Sequence, residues 1–358
     1  MADTVKLMKK IARLAKEKKK LRFMEVCGTH TVAIFRSGIR QLLPENVELV
    51  SGPGCPVCVT NDEYIDKAIA YSRKKDCIVV TFGDMLKVPG TRSSLAGAVA
   101  AGGDVRVVYS PLDSLKIAKE NPRKKVVFLA VGFETTAPTQ AATVLAAKAQ
   151  RIKNLFMLSA QKLVPPALRF LLGDAAVKVD GFLLPGHVAV VIGADAFNFL
   201  AEEYRMPSAV GGFEAEEILT ALASLLEQVD SGRAEVANDY RSVVKAEGNV
   251  AAKKILAQVY EVADAEWRGI GKIPASGLKI REEFAAFDIE CVAPIELERV
   301  EKKTACRCGE VLRGVINPPE CPLFGKACQP LHAIGPCMVS VEGVCAAWFK
   351  YGRNNFKW

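Results

Sequence analysis

Four short apolar runs, each closing on a loop rich in glycine, proline, cysteine or histidine, occur in the same order twice in this chain of 358 residues. In the first half they are Arg22 to Val26, Val47 to Val50, Cys77 to Thr81 and Val105 to Tyr109. In the second they are Lys125 to Val131, Leu155 to Ser159, Gly181 to Leu184 and Ala209 to Gly212. The offset stays at about one hundred residues through all four pairs, a regularity that marks an internal repeat. Helical stretches separate the runs, at Val32 to Leu43, Glu63 to Arg73 and Ser93 to Ala101 in the first half. Alternation of this kind is the signature of strand–helix units on a parallel sheet. The expected fold class is therefore α/β, with two similar parallel-sheet domains facing a central cleft and a loop-rich C-terminal domain after them. The expected boundaries are 1–120, including an N-terminal basic helix, 121–265, ending in a helical linker, and 266–358.

Leu7, Ile11, Leu14 and Ala15 recur at helical spacing among lysines over residues 4–20, an amphipathic helix with a solvated basic face. Eight of the 48 lysines and arginines lie between Lys6 and Lys20, so much of the +8 net charge belongs to this one segment. No aromatic residues interleave those lysines, and a packing helix is preferred to a nucleic-acid surface. No apolar stretch of about 18 residues exists to span a bilayer, and lysines occupy the place of a signal peptide's apolar region. A cytoplasmic protein that binds neither membrane nor nucleic acid is expected. Farther on, Glu214 to Val229 and Asn249 to Trp267 read as helices, and short strands are expected around Ile289 to Val292 and Ile295 to Leu297.

Eleven cysteines in a chain of this compartment point to metal or redox chemistry rather than a disulfide framework. In open parallel sheets, ligands gather outside the carboxyl ends of the strands. Cys27, His30, Cys55, Cys58, Asp84, Glu134, Thr135 and His187 all fall on such loops. Cys55-Pro56-Val57-Cys58, stiffened by proline and flanked by glycines, reads as a reactive dithiol. Cys27 beside His30 is either an activated nucleophile or a soft metal ligand. Neither a Gly-x-Ser-x-Gly elbow nor a phosphate loop competes with it. Cys77 and Cys291 sit in apolar runs and read as core thiols. His187 and Glu134 serve either the cleft or the structure, and His332 lies near the cysteine loops or on the surface.

The other six cysteines, Cys306, Cys308, Cys321, Cys328, Cys337 and Cys345, lie among prolines and glycines that keep the segment out of long regular elements. Four thiolates on such loops suit an iron–sulfur cluster or zinc. Paired zinc knuckles are absent, which favours the cluster. Cys321, Cys328, Cys337 and Cys345 are the expected ligands, with Cys306 and Cys308 as the competing pair.

Several long motifs resemble the HypD family of [NiFe]-hydrogenase maturation proteins. They are Cys27-Gly28-Thr29-His30-Thr31, Gly52-Pro53-Gly54-Cys55-Pro56-Val57-Cys58, Thr81-Phe82-Gly83-Asp84-Met85 through Pro89-Gly90, Gly132-Phe133-Glu134-Thr135-Thr136, Pro185-Gly186-His187, Cys306-Arg307-Cys308-Gly309, and Gly335-Pro336-Cys337-Met338-Val339-Ser340 with Glu342-Gly343-Val344-Cys345. The resemblance covers nearly the whole chain, from Leu21 to Tyr351. It implies a scaffold with redox function for assembling the Fe(CN)2CO group of the hydrogenase, in complex with a HypC-type chaperone and receiving cyanide from HypE. It also implies that Cys27 is an iron ligand shared with a chaperone cysteine, that His30 is its neighbour, and that Cys55 and Cys58 are a redox pair. Cys321, Cys328, Cys337 and Cys345 would then hold a [4Fe-4S] cluster that passes electrons to that pair. Two alternatives stay open: an iron–sulfur-dependent thiol–disulfide oxidoreductase, and a zinc-binding interaction protein. Whether the chain is itself an enzyme is left open as well.

Overall fold

The computed structural model describes residues 2–298 and 304–352. Residues 299–303 and 353–358 of the expected 266–358 segment lie outside that description. The strands are β1 Leu21–Glu25, β2 Val47–Ser51, β3 Cys77–Thr81, β4 Val105–Val107, β5 Lys125–Gly132, β6 Leu155–Lys162, β7 Gly181–Pro185, β8 Ser208–Gly211, β9 Val236–Asn238, β10 Tyr260–Trp267 and β11 Gly271–Ile280. One sheet has the order β2-β1-β7-β8-β9 and the other β10-β11-β6-β5-β3-β4. All pairs are parallel except those that β11 makes with β10 and β6. The protein is thus α/β with predominantly parallel sheets.

The repeat is visible in these orders. The sequence pairs β1 with β5, β2 with β6, β3 with β7 and β4 with β8. Exchanging each strand for its counterpart turns β2-β1-β7-β8 into β6-β5-β3-β4, which is the order in the second sheet. Each sheet therefore takes its first two strands from one half of the chain and its next two from the other. The contiguous units 1–120 and 121–265 do not separate the sheets, and the expectation of one sheet per half is corrected. The physical reason lies in the strands themselves: every residue of β3 and of β7 is buried. Helices cover both faces of such strands. Their apolar runs fix burial but name no neighbour, since a strand of either half suits either sheet.

The N-terminal helix, Ala2–Ala15, buries Ile11 and Ala15 in the same core as Leu222 and Leu226 of the helix Ala215–Ser231. Its basic face is solvated and partly paired, with Lys10 Nζ 2.8 Å from Glu227, and just beyond the helix Lys18 Nζ lies 2.7 Å from Asp230. Among the described residues no helix is long and apolar enough to cross a membrane.

Three local expectations change. The helix expected over Asn249 to Trp267 ends at Val259, and Tyr260 onward is β10. From Glu261 on burial alternates residue by residue, with Val262, Asp264 and Glu266 exposed between half-buried Ala263 and Ala265 and buried Trp267, which is the period of a strand. Ile289–Val292 forms a helical turn, capped by Asp288 Oδ1, which accepts from the Glu290 N–H at 2.9 Å. Cys291 is consequently exposed rather than a core thiol. Ile295 to Leu297 forms no strand.

The last segment is loop-rich, as expected, with short helices at Cys308–Leu312 and Val344–Tyr351. It packs directly on the first sheet. Arg22 Nη2 donates to Gly314 O at 2.9 Å, Asn317 Nδ2 donates to Glu48 Oε1 at 3.2 Å, and Trp348 meets Phe35 edge to face at 5.2 Å.

Candidate functional site

Cys27 lies two residues beyond β1 and forms the N-cap of the helix Gly28–Arg36. The loop after β2 locks onto it, with the Gly28 N–H donating to Gly54 O at 3.1 Å. A Cβ on Gly54 would overlap the Cys27 backbone, and one on Gly28 would overlap Glu342. Only glycine lets these three stretches of backbone approach so closely. Thr29 Oγ1 donates to Glu342 Oε1 at 2.8 Å, which brings a carboxylate of the last segment beside the cysteine. Cys27 keeps part of its surface. Burial nevertheless pushes its thiol up to about 11, opposed by the His30 backbone N–H and assisted by Glu342. At neutral pH this is a protonated thiol, which an incoming soft cation would have to deprotonate on binding.

His30 is fully buried, and its Nε2 lies 2.8 Å from Gly212 O. A carbonyl only accepts, so Nε2 carries the proton. Nδ1 is then a lone pair, buried and without a hydrogen-bond partner among the described residues. Burial lowers the imidazole to about 4, so the ring is neutral at physiological pH. It stacks on Phe213 at 4.5 Å, and Phe213 stacks on His187 at 3.8 Å. Phe213 follows β8 and His187 follows β7. The site is therefore built outside the carboxyl ends of neighbouring parallel strands, where backbone loops converge. Phe213 and Glu342 were not read as site residues in the sequence. A lone phenylalanine carries no chemical signature, but its position beyond Gly211-Gly212 at the end of an apolar run marked the place.

The dithiol follows the same logic. Cys55 precedes a short helical turn, Pro56–Val59, and both Cys55 and Cys58 are almost wholly inaccessible. The Cys58 thiol contacts the thiols of Cys55 and Cys337, and Cys337 in turn contacts Cys345. Burial raises Cys58, whereas the Cys337 thiol is held well below its ordinary range by hydrogen bonds from Cys345 and Cys58, with the Arg268 guanidinium nearby. Cys345 is raised by its bond to Cys337. Four thiols thus form one connected chain from the dithiol into the C-terminal segment.

That chain ends at a small cavity lined by Cys306, Cys308, Cys321, Cys328, Cys337 and Cys345, with apolar Val311, Phe324 and Met338 between them. The donors are all soft sulfur, with no carboxylate or imidazole in the lining, and the Ile334 N–H donates to Cys328 Sγ at 3.3 Å. Thiolate donors with backbone N–H bonds to sulfur suit an iron–sulfur cluster. Among the described residues no three histidine, cysteine or acidic side chains gather closely enough to hold a single metal ion. Cys306 and Cys308 line the cavity beside the four expected ligands, so the lining alone does not choose four thiols from six.

The remaining candidates separate. Glu134 is buried, and its Oε1 accepts from the Val164 N–H at 2.8 Å, capping the helix Val164–Gly173. Burial pushes its carboxyl up to about 7, and Oε2 has no partner among the described residues. Asp84 Oδ2 accepts from Ser340 Oγ at 2.8 Å. The stretch holding Cys337, Ser340 and Glu342 is therefore gripped by loops of both sheets. Cys77 is buried in β3, as expected, and His332 is exposed.

Fold and site together define a cysteine-rich α/β protein whose thiols are gathered at the carboxyl ends of its parallel strands. The family model described as hydrogenase formation hypA family, HypD, matches residues 3–352. The hydrogenase maturation factor HypD of Escherichia coli K12 is 46% identical over 335 residues, covering 93% of this chain and 90% of that protein. The Azotobacter vinelandii factor of the same name is 44% identical over 360 residues, 99% and 95% of the two chains, and that of Rhodobacter capsulatus 42% over 356 residues, 97% and 94%. The chain belongs to the HypD family of hydrogenase maturation factors.

Proposed function

We propose that the protein is a redox-active scaffold on which the Fe(CN)2CO group of a [NiFe] hydrogenase is assembled, together with a HypC-type chaperone and a HypE-type cyanide donor. The observation that carries this reading is the unbroken run of thiol contacts from Cys55 through Cys58 and Cys337 to Cys345. It begins on the loop whose Gly54 touches the Cys27 backbone and ends in the six-cysteine cavity. Iron bearing cyanide and carbon monoxide is low-spin Fe(II) and favours a soft ligand. Cys27 supplies one at a partly open position, and a chaperone cysteine supplies another. His30 stands next to it with an unprotonated Nδ1.

Cys321, Cys328, Cys337 and Cys345 are proposed to hold a [4Fe-4S] cluster. When bound, such a cluster supplies electrons singly at a low potential set by its surroundings. Opening a Cys55–Cys58 disulfide breaks one S–S bond and consumes two electrons and two protons, so two single-electron deliveries from a low-potential carrier complete one cycle. The burial of Cys55 and Cys58 keeps bulk thiols away from the pair, leaving Cys337 as the adjacent route.

Anaerobic purification with iron, sulfide and zinc analysis and an electron paramagnetic resonance spectrum tests the reading. About four irons and four sulfides per chain are expected. Zinc without sulfide would remove the electron source. Replacement of Cys337 is expected to bleach the cluster. An unchanged chromophore would transfer that ligand position to Cys306 or Cys308. Failure to co-purify with a HypC-type chaperone would leave a free-standing oxidoreductase instead of a scaffold.

A further inference from the structure

Glu25, the last residue of β1, has no exposed surface. Its Oε1 accepts from Ser51 Oγ at 2.5 Å, from Thr31 Oγ1 at 3.2 Å and from Arg40 Nη2 at 3.4 Å. Arg40 Nη1 donates to Leu49 O at 2.6 Å. Its guanidinium carbon sits 4.7 Å from the Phe35 ring centre and 5.1 Å from that of Trp348. These contacts reach three functional stretches at once. Ser51 leads into the Gly52–Cys58 loop, Thr31 follows His30, and Trp348 lies one helical turn beyond Cys345.

The pair is not completed in the way a stabilising ion pair would be. Glu25 Oε2 and Arg40 Nε are both buried with no hydrogen-bond partner among the described residues. A buried ion pair with unmet hydrogen-bonding capacity is frequently no more stable than apolar residues of equal volume. Unsatisfied buried groups of this kind call for a reason other than stability.

We infer that Glu25 and Arg40 are positioning residues: they hold the Cys27 loop, the dithiol loop and the Cys345 helix in one register. The inference deepens the proposed function, on which it rests for the shared reaction of those three elements. Its geometric part is independent of any bound cluster.

The full chain, kept reduced, is compared with Arg40→Lys, Arg40→Met and the double variant Glu25→Gln/Arg40→Met by timing the alkylation of Cys55 and Cys58 through peptide mapping, alongside thermal melting. Arg40→Met alone leaves the Glu25 carboxylate unpaired in the core and lowers the melting temperature. The double variant removes that charge and restores melting, yet its dithiol labels about tenfold faster because local opening has become easier. Arg40→Lys keeps the charge but not the planar fork that spans Leu49 O and the two rings, and it labels at an intermediate rate. Native labelling rates in a double variant of native melting temperature would overturn the inference, as would a native rate in Arg40→Lys should the double variant not fold. Iron and sulfide content, measured on the same samples, reports separately on the cluster.

Discussion

Cys27 and Glu134 hold matching places, each two residues beyond a strand that lies second in the shared order, β1 in one sheet and β5 in the other. Their surroundings part company at once. The loop beside Cys27 is Gly52-Pro53-Gly54, thin enough for backbone to touch backbone, and Cys27 keeps an opening to the surface. The loop beside Glu134 enters the helix Val164–Gly173, and the carboxyl is consumed in capping it. Topology has supplied two equivalent crevices. Side-chain chemistry and the openness of the neighbouring loop decide which one handles a ligand.

Cys27→Ala is the harshest way to break the comparison. It is expected to abolish hydrogenase maturation in a complementation assay while iron and sulfide content stays unchanged. Glu134→Gln at the matching place keeps the cap to Val164 and should leave maturation intact. Normal maturation by Cys27→Ala would remove the iron-ligand assignment.

A pH titration of stability sharpens the contrast. Glu134 has a folded-state value raised to about 7, so between about pH 4.5 and 7 the unfolded chain loses its proton first and stability falls as pH rises. His30 is lowered to about 4, so between about pH 4 and 6.5 the unfolded chain binds the proton first and stability rises with pH. Each is worth about 3 kcal/mol at full extent. Glu134→Gln removes one of them. Measured against the native chain in denaturant melts, its unfolding free energy should gain about 2.5 kcal/mol from pH 4.5 to 7. A difference that does not change with pH would show that Glu134 is not held protonated by burial.

Paired glycine substitutions give the smallest effects. At Gly54 a methyl meets the Cys27 backbone, which cannot rotate away, and a loss of about 3 kcal/mol is expected. At Gly132 it meets the Thr136 hydroxyl, the movable end of a side chain, and a loss of about 1 kcal/mol is expected. Equal losses in chemical denaturation would mean that the two crevices are equally tight.

The strands were legible because parallel strands covered on both faces are written as short apolar runs, and the repeat was legible because those runs keep their order. Which sheet each strand joins was not, since nothing in Ile78-Val79-Val80 distinguishes a neighbour from either half of the chain. The Asn249 to Trp267 stretch was misread because the helical spacing of Ala252, Ile255, Leu256 and Val259 runs without a break into the alternation that follows Tyr260. At the site, the cysteines and His30 announce themselves by residue type. Phe213, Glu342 and the Glu25–Arg40 pair matter through contacts made by distant segments, and such contacts leave no local pattern. The six-thiol cavity was legible from cysteine density, but the contact between Cys58 and Cys337, 279 positions apart, belongs to the tertiary structure alone.

The central claim is that the cysteine cavity and the dithiol form one electronic path. The direct measurement is a stepwise anaerobic reduction of the full chain, starting from an oxidised Cys55–Cys58 pair, with a one-electron viologen donor. The resonance of the proposed cluster and the free thiols of Cys55 and Cys58 are followed together, and Cys321→Ala serves as the variant in which that cluster should be lost. Both thiols should appear as the native cluster is reduced, and neither should appear at that rate in Cys321→Ala. A native cluster that is fully reduced while the Cys55–Cys58 disulfide stays closed would contradict the claim.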